Sequence, residues 1–480
     1  MNRDNAWKKY KEEDILALEE LCSGYRAFLD KGKTERECVK ETVRLAQERG
    51  YRDLNDVIAA GENLKAGDKI YAVNMNKTIA LFHIGERPLE EGMRILGAHI
   101  DSPRMDLKQN PLYEDTDMVY LDTHYYGGIK KYQWVTIPLA IHGVVAKKDG
   151  SVTEIVIGED DADPVLCVTD LLIHLAQEQM EKKARVVIEG ENLDLLIGSR
   201  PASSEKEDEG TDDKEDKKED KEGKKEKDTA KQAILDILKE KYGMEEEDFL
   251  SAELEIVPAG RARDCGLDRS MIAAYGQDDR VCAYTSLEAL LASDTQEFTS
   301  CCLLVDKEEI GSVGATGMES RFFENTVAEL MACTGDYSEL KLRRALRSCR
   351  MLSSDVSAGF DPLYASAFEK KNAAYLGRGL VFNKYTGARG KSSSNDANAE
   401  YVAWIRRVMD DAEVSFQTAE LGRVDLGGGG TIAYITAAYG MDVIDSGVSV
   451  LSMHAPLEIT SKADIYEAKK GYMAFLKARS

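Results

Sequence analysis

No Cys-x-x-Cys and no His-Glu-x-x-His occurs in the 480-residue chain, and its nine cysteines stand singly apart from the pair Cys301-Cys302. An odd, irregular set of thiols makes a poor disulfide framework, so most read as small buried hydrophobes, and none sits in a recognisable reactive setting. The missing His-Glu-x-x-His disfavours the single-zinc proteases that carry both histidines on one helix. No stretch reaches the roughly 18 uninterrupted apolar residues of a membrane span, and the first residues lack the apolar core of a secretory signal. Positive charge is in short supply: 63 Lys and Arg stand against 87 Asp and Glu, a net charge of −24. Such a surface repels phosphate backbones and anionic headgroups, so no nucleic acid and no membrane are expected as partners, and a cytoplasmic location is expected.

What is present fits a globular protein. Hydrophobic residues make up 43% of the chain, and its length predicts two domains, each with its own core. Apolar positions recur at helical spacing from about Glu12 to Gly50, with Thr34 and Glu37 forming a capping box between two helices. Lys69–Val73, Thr78–His83 and Arg94–His99 are β-rich runs between Asn and Gly turns, read as adjacent strands. From about 106 to 258 the texture is mainly β, with Val135–Ile141, Gly143–Ala146 and Val152–Ile157 as separate short runs. Within it, 21 of the 24 residues of Glu205–Asp228 are charged, 13 acidic and 8 basic. With no apolar side chain to offset ordering, this predicts a solvated, mobile and dispensable loop. After Ser270, strand-like runs (Thr299–Val305, Arg350–Ser354, Val448–Ser452) alternate with helical ones, the pattern of an α/β sheet with covering helices. The expected fold is therefore a mixed-sheet α/β domain, residues 1–105 plus 259–480 in one sheet, split by a β-rich insertion at 106–258.

Only six histidines occur, and His99 and His454 both end apolar runs, where a side chain can leave a sheet for a cleft. In His99-Ile-Asp101 the two side chains share a face, so the carboxylate can hold one ring nitrogen while the other binds a metal. Glu308-Glu309 follows the Thr299–Val305 run; one carboxylate can bind metal while the other faces a water as general base. Asp278-Asp279 precedes a helical run and Asp355 follows a strand-like one, where each also fits an ordinary cap or turn. Taken together, two imidazoles and several carboxylates suit a paired divalent site for zinc, cobalt or manganese.

Five motifs, Gly97-Ala-His99-Ile-Asp101-Ser-Pro103, Gly276-Gln-Asp278-Asp279-Arg280, Asp306-Lys-Glu308-Glu309-Ile-Gly311, Ser354-Asp355-Val356 and Ser452-Met-His454-Ala-Pro456, appear in this order. Through them nearly the whole chain resembles the aspartyl aminopeptidase family of metallopeptidases. The resemblance implies two divalent metal ions bridged by Asp278, with His99 and Asp355 completing one site and Glu309 and His454 the other. It further implies Glu308 as the base, Asp101 as the partner of His99, and peptides with a free N-terminus as substrates, their α-amino group anchored at a metal. The insertion would then be a dimerisation domain, six dimers building a tetrahedral dodecamer. In the family a histidine of a neighbouring subunit's insertion reaches the active site. Ile137-Pro-Leu-Ala-Ile-His142 matches that stretch but lacks a second histidine after the proline, so His142 fits either this catalytic role or a buried core histidine.

The family name points to acidic N-terminal residues, which need a basic group in the pocket. Arg378, Lys384, Arg389 and Lys391 lie in a Gly- and Ser-rich stretch where one could sit, although Lys384-Tyr-Thr-Gly-Ala-Arg-Gly-Lys391 departs from the better-known eukaryotic pattern. Gly427-Gly-Gly-Gly-Thr431 lacks the Gly-Lys-Ser/Thr ending of a nucleotide loop and reads as a substrate-contacting turn. Asp355-Val-Ser-Ala-Gly359 misses Gly-x-Ser-x-Gly by its acidic first residue, which disfavours a serine hydrolase. A metal-dependent carboxypeptidase or deacylase can use the same ligand types, and a non-catalytic assembly protein could retain the fold.

Overall fold

Thr34 decides where the first helical hairpin turns. Its hydroxyl accepts the Glu37 amide at 3.2 Å while the Glu37 carboxylate accepts the Thr34 amide at 3.0 Å, which satisfies two open donors of a helix start reciprocally. The flanking helices run Glu12–Lys31 and Glu35–Glu48. The first buries Leu18, Leu21, Cys22, Tyr25 and Phe28, and the last two rings pack on Tyr284 at centroid distances of 5.5 and 5.4 Å. The computed structural model describes residues 4–202, 229–387 and 389–479, so the charged run 205–228 lies outside the described residues.

Two compact units result, Met1–Ser102 with Arg261–Ser480, and Pro103–Gly260. In the first, a nine-stranded mixed sheet runs in the order Arg52–Asp53, Lys69–Asn74, Thr78–His83, Thr299–Val305, Met93–His99, Arg350–Ser353, Asp442–Gly447, Leu380–Asn383, Phe416–Thr418. The three early strands are thus not all neighbours, because Thr299–Val305 inserts antiparallel to Thr78–His83 and parallel to Met93–His99. The reason is apolar character on both faces. Cys301, Leu303 and Val305 join one buried cluster, and Cys302 and Leu304 the other, so this strand belongs in the interior of a sheet.

The outer segments also do not form one sheet. A second sheet orders Arg263–Cys265, Met271–Ala274, Glu458–Ser461, Ser449–Leu451 and Ser357–Ala358, so the Val448–Ser452 run lies there and not in the large sheet. Gly447 marks the crossing: a Cβ at that position would stand 2.0 Å from the Asp355 carbonyl oxygen, an approach open only to glycine. The helices Gln277–Leu291 and Lys462–Lys477 pack against each other within this unit.

The second unit holds a six-stranded antiparallel sheet in the order Val152–Ile157, Leu139–Ala146, Ala252–Pro258, Arg104–Asp115, Met118–Tyr126, Leu195–Gly198. The runs Val135–Ile141 and Gly143–Ala146 are not separate strands: one strand, Leu139–Ala146, begins directly after Pro138. Proline has no amide to give to a ladder, so pairing starts at the next residue.

Candidate metal centre

Thr299–Val305, Met93–His99 and Arg350–Ser353 are parallel neighbours, so their carboxyl ends emerge on one edge, the place where open α/β sheets bind ligands. His99 is the last residue of its strand. Glu308 and Glu309 form a short turn after Val305, entered through Lys307 at φ 67°, and Asp355 follows Ser353. Asp278 and Asp279 open the helix Gln277–Leu291 outside helical φ/ψ and are joined by a cis peptide bond. His454 follows the Ser449–Leu451 strand in a left-handed turn, φ 66°.

These side chains converge. One oxygen of Asp278 is 3.3 Å from His99 Nε2, and the other is 3.3 Å from His454 Nε2. Glu309 Oε1 lies 3.4 Å from His454 Nε2 and Glu308 Oε2 3.8 Å from His99 Nε2. Ligand atoms of His99, Asp278 and Asp355 fall within 4.8 Å of one another, as do those of Asp278, Glu309 and His454, and those of His99, Glu308 and Glu309. Among the described residues, His142 belongs to no such group. It is buried in the second unit with Nε2 3.2 Å from Glu159 Oε1.

Asp101 fixes more than His99. Its main-chain carbonyl lies 3.0 Å and its carboxylate 3.3 Å from His99 Nδ1, and the carboxylate also accepts the amides of Glu308 at 3.1 Å and Glu309 at 3.2 Å, so one buried residue orients the imidazole and the turn carrying both glutamates. Two further acids do comparable work: Glu458, which sequence reasoning did not single out, and Asp279, which stood in a quoted motif without a role of its own. Glu458 accepts the amides of Asp278 at 3.0 Å and His454 at 2.7 Å, and Asp279 Oδ2 accepts the His99 amide at 3.3 Å. A lone carboxylate opening the otherwise neutral strand Glu458-Ile-Thr-Ser461 is the signal that could have found the first. Ser102 Oγ adds a hydrogen bond of 2.7 Å to the Asp278 carbonyl.

Burial dominates the electrostatics of this cluster. It pushes Glu308 up to about 7 and Glu458 to about 8, and drives Glu309 and Asp355 well above the carboxylate range. Asp278 goes the other way: burial works against its charge, but hydrogen bonds from His454 and His99 hold it below the usual range. His99 is likewise opposed by burial and raised by Asp101 and Asp278. Glu309 Oε1 is buried and accepts no well-formed hydrogen bond among the described residues, His454 Nε2 at 3.4 Å being its near neighbour.

A family model for aminopeptidase I zinc metalloproteases (M18) matches residues 28–476. The chain belongs to the M18 aminopeptidase family. M18 members are zinc metalloproteases, which makes this chain a metalloaminopeptidase, a hydrolase of peptide bonds. A probable M18 family aminopeptidase 1 of Clostridium acetobutylicum is 60% identical over 472 residues, covering 98% of this chain and 97% of the relative. The crystal structure of an M18 aminopeptidase from Thermotoga maritima superposes with a TM-score of 0.90 at 44% identity, covering 99% of both chains. A structure titled as the mApe1 dodecamer of S. cerevisiae shares the fold at TM-score 0.71 and 18% identity, over 96% of this chain and 97% of that one.

Within this M18 chain the basic residues considered for an acidic substrate have other company. Lys384 and Lys391 both pair with Asp396, at 3.2 and 3.1 Å, and the Arg378 guanidinium lies 4.6 Å from the centre of the Tyr375 ring. No hydrogen bond or ion pair holds Arg389, in a left-handed turn at φ 51°, among the described residues. In the glycine run, the Gly429 amide donates to the Thr386 carbonyl at 3.0 Å, and the Thr431 hydroxyl donates to Asp445 at 2.6 Å.

Proposed function

We propose that this M18 aminopeptidase releases single residues from the free N-terminus of peptides at a centre of two divalent metal ions, with Glu308 as general base. Asp278 carries the reading, because its two oxygens face different imidazoles at the same 3.3 Å and one carboxylate can thereby serve two ions. His99 and Asp355 complete one site, Glu309 and His454 the other. The donor set fits: imidazole and carboxylate suit zinc, and also cobalt or manganese, and Glu309 Oε1, buried without a well-formed hydrogen bond, is an acceptor that a cation would satisfy. When bound, such ions polarise the scissile carbonyl and lower the pKa of water.

The protein's own groups do the rest. Glu308 stands farther from His99 than Asp278 does, 3.8 against 3.3 Å, which favours the role of proton acceptor over that of ligand. Its carboxylate takes a proton from the attacking water and returns it to the departing amine, so one group serves as base and then as acid. Asp101 keeps His99 in register with the Glu308 turn. Glu458 and Asp279 lock the backbones of Asp278, His454 and His99, which fixes the ligands before any ion arrives.

The second unit is our candidate for dimer formation. Leu171, Leu172, Ile173, Leu175 and Met180 are exposed there within ten residues, a density of apolar side chains that fits a protein interface. Six such dimers would build the tetrahedral dodecamer that the family resemblance implies; His142, buried beside Glu159 in the isolated chain, is our candidate for the histidine offered to a neighbouring centre. All nine cysteines are free thiols, which fits a reducing cytoplasm.

Hydrolysis of free-amine aminoacyl substrates, acidic, basic and apolar, with added Zn²⁺, Co²⁺ or Mn²⁺ tests the mechanism. Metal-dependent release that Glu308→Gln loses is the expected result. Release unaffected by Glu308→Gln, or by removal of metal, would overturn it.

A further inference from the structure

A cavity of about 270 Å³ opens beside the last strands of the nine-stranded sheet, and none of the clustered imidazoles and carboxylates lines it. Strand register separates it from their edge. Ser353 and Asn383 both pair with Asp445, but the two strands run in opposite directions. Asp355 therefore leaves toward the exit end of the Asp442–Gly447 strand, where its amide bonds Ser446, while Lys384 and Tyr385 run toward the entry end at Asp442.

The floor of the cavity is apolar, with Phe382, Ile405 and Phe416 each at most 3% exposed. Charges of both signs stand at its wall. Arg406, exposed on the helix Ala399–Asp411, has no ion pair or hydrogen bond among the described residues. Glu420, half-buried, accepts the Tyr385 hydroxyl at 2.6 Å on one oxygen and leaves the other without a donor among the described residues.

A cation, an anion and an apolar floor in one small space are the complement of a free amino acid. Its carboxylate would meet Arg406 in a charge-assisted pair, its ammonium Glu420, and its side chain the aromatic floor. The volume lies just below that of ordinary ligand pockets, about 300 Å³ and upward, which suits a single residue and excludes a long peptide. We infer that this cavity binds the zwitterion of an apolar amino acid, away from the metal centre. Peptide-bond hydrolysis at an N-terminus releases this chemical class, so the site is placed to sense product; that use rests on the proposed function, whereas binding does not.

Calorimetric titration of L-leucine into the full-length, metal-loaded protein tests the site, beside Arg406→Ala, Glu420→Gln and Asp278→Asn. N-acetyl-L-leucine and L-leucinamide, each lacking one charge, serve as control probes. One class of L-leucine site should persist in Asp278→Asn and weaken roughly tenfold in each of the other two variants, the loss expected for one charge-assisted contact. Arg406→Ala and Glu420→Gln should keep kcat/KM for an aminoacyl substrate within about twofold, since neither touches the metal centre. L-leucine binding unchanged by both cavity variants, or equal binding of the two blocked probes, would overturn the inference. Failure of the aminopeptidase mechanism would leave a different trace: no hydrolysis, with the leucine site intact.

Discussion

Two sets of carboxylates lie in the first unit, one fully buried and one buried or half-buried, and their surroundings differ. Asp464 and Glu467, on the helix Lys462–Lys477, are fully buried but well met. Asp464 accepts the amides of Gly377 at 2.8 Å and Gly379 at 2.6 Å and the Ser449 hydroxyl at 3.1 Å. Glu467 accepts the Ser415 amide and the Tyr10 hydroxyl and pairs with Lys9 at 3.1 Å. The clustered set, Asp278, Glu308, Glu309 and Asp355, faces two imidazoles, and among the described residues none of the four pairs with a lysine or arginine. Buried charge needs a partner. Where amides, hydroxyls and a lysine supply it, the acids tie segments of the chain together; where they do not, the missing charge is that of a cation.

The comparison breaks first at Glu308. Glu308→Gln keeps the shape but cannot take a proton, and kcat should fall by roughly 10²- to 10⁴-fold while bound metal and the melting temperature stay near wild type. A drop below tenfold would remove Glu308 from the role of base.

The pH response of metal-free protein should separate the two sets next. Glu308, raised by burial from its usual 4.5 to about 7, contributes stability that is full below about 4.5 and is lost as pH rises through 7. For this group alone the loss amounts to about 3 kcal/mol. Denaturant unfolding of chelator-treated protein should therefore weaken between pH 5 and 8, and added Zn²⁺ should restore it. A flat profile without metal would mean that the cluster carries no uncompensated charge.

Asp101→Asn tests the carboxylate that serves His99 and the Glu308 turn together. Metal affinity or activity should fall about 10- to 100-fold, less than for Glu308→Gln. A wild-type dissociation constant for Zn²⁺ would contradict the positioning role. In the satisfied set, Glu467→Gln should cost about 1 kcal/mol through its weakened bonds to Lys9, Tyr10 and Ser415, read by unfolding, and leave kcat unchanged.

Some of the clustered residues stood out in the sequence by position, His99 and His454 because they end apolar runs and Asp355 because it follows one, whereas the division of the set into two proposed metal sites came from the family resemblance. Asp101 was legible through its spacing from His99, although its hold on the Glu308 and Glu309 amides was not, since that contact spans about 200 residues of sequence. Glu458 was hidden for another reason: among 87 acidic residues, one that accepts the amides of Asp278 and His454 has partners far from it in sequence or hidden in a turn. Asp279 stood in a quoted motif, but its bond to the His99 amide could not be read from it. The sheet order was hidden too. Periodicity marks Thr299–Val305 as a strand, but only its two apolar faces, seen in place, explain why it separates Thr78–His83 from Met93–His99. The close approach of Gly447 to the Asp355 carbonyl, where the chain passes to the second sheet, is likewise announced by no local pattern.

The measurement that bears most directly on the central claim is the metal content of the purified protein by elemental mass spectrometry, for wild type and Asp278→Ala. Two ions per chain in the wild type, both lost or greatly weakened in the variant, is the expected result, because Asp278 turns one oxygen to each imidazole at 3.3 Å. A single ion per active wild-type chain, or a variant that keeps two, would contradict a centre bridged by Asp278.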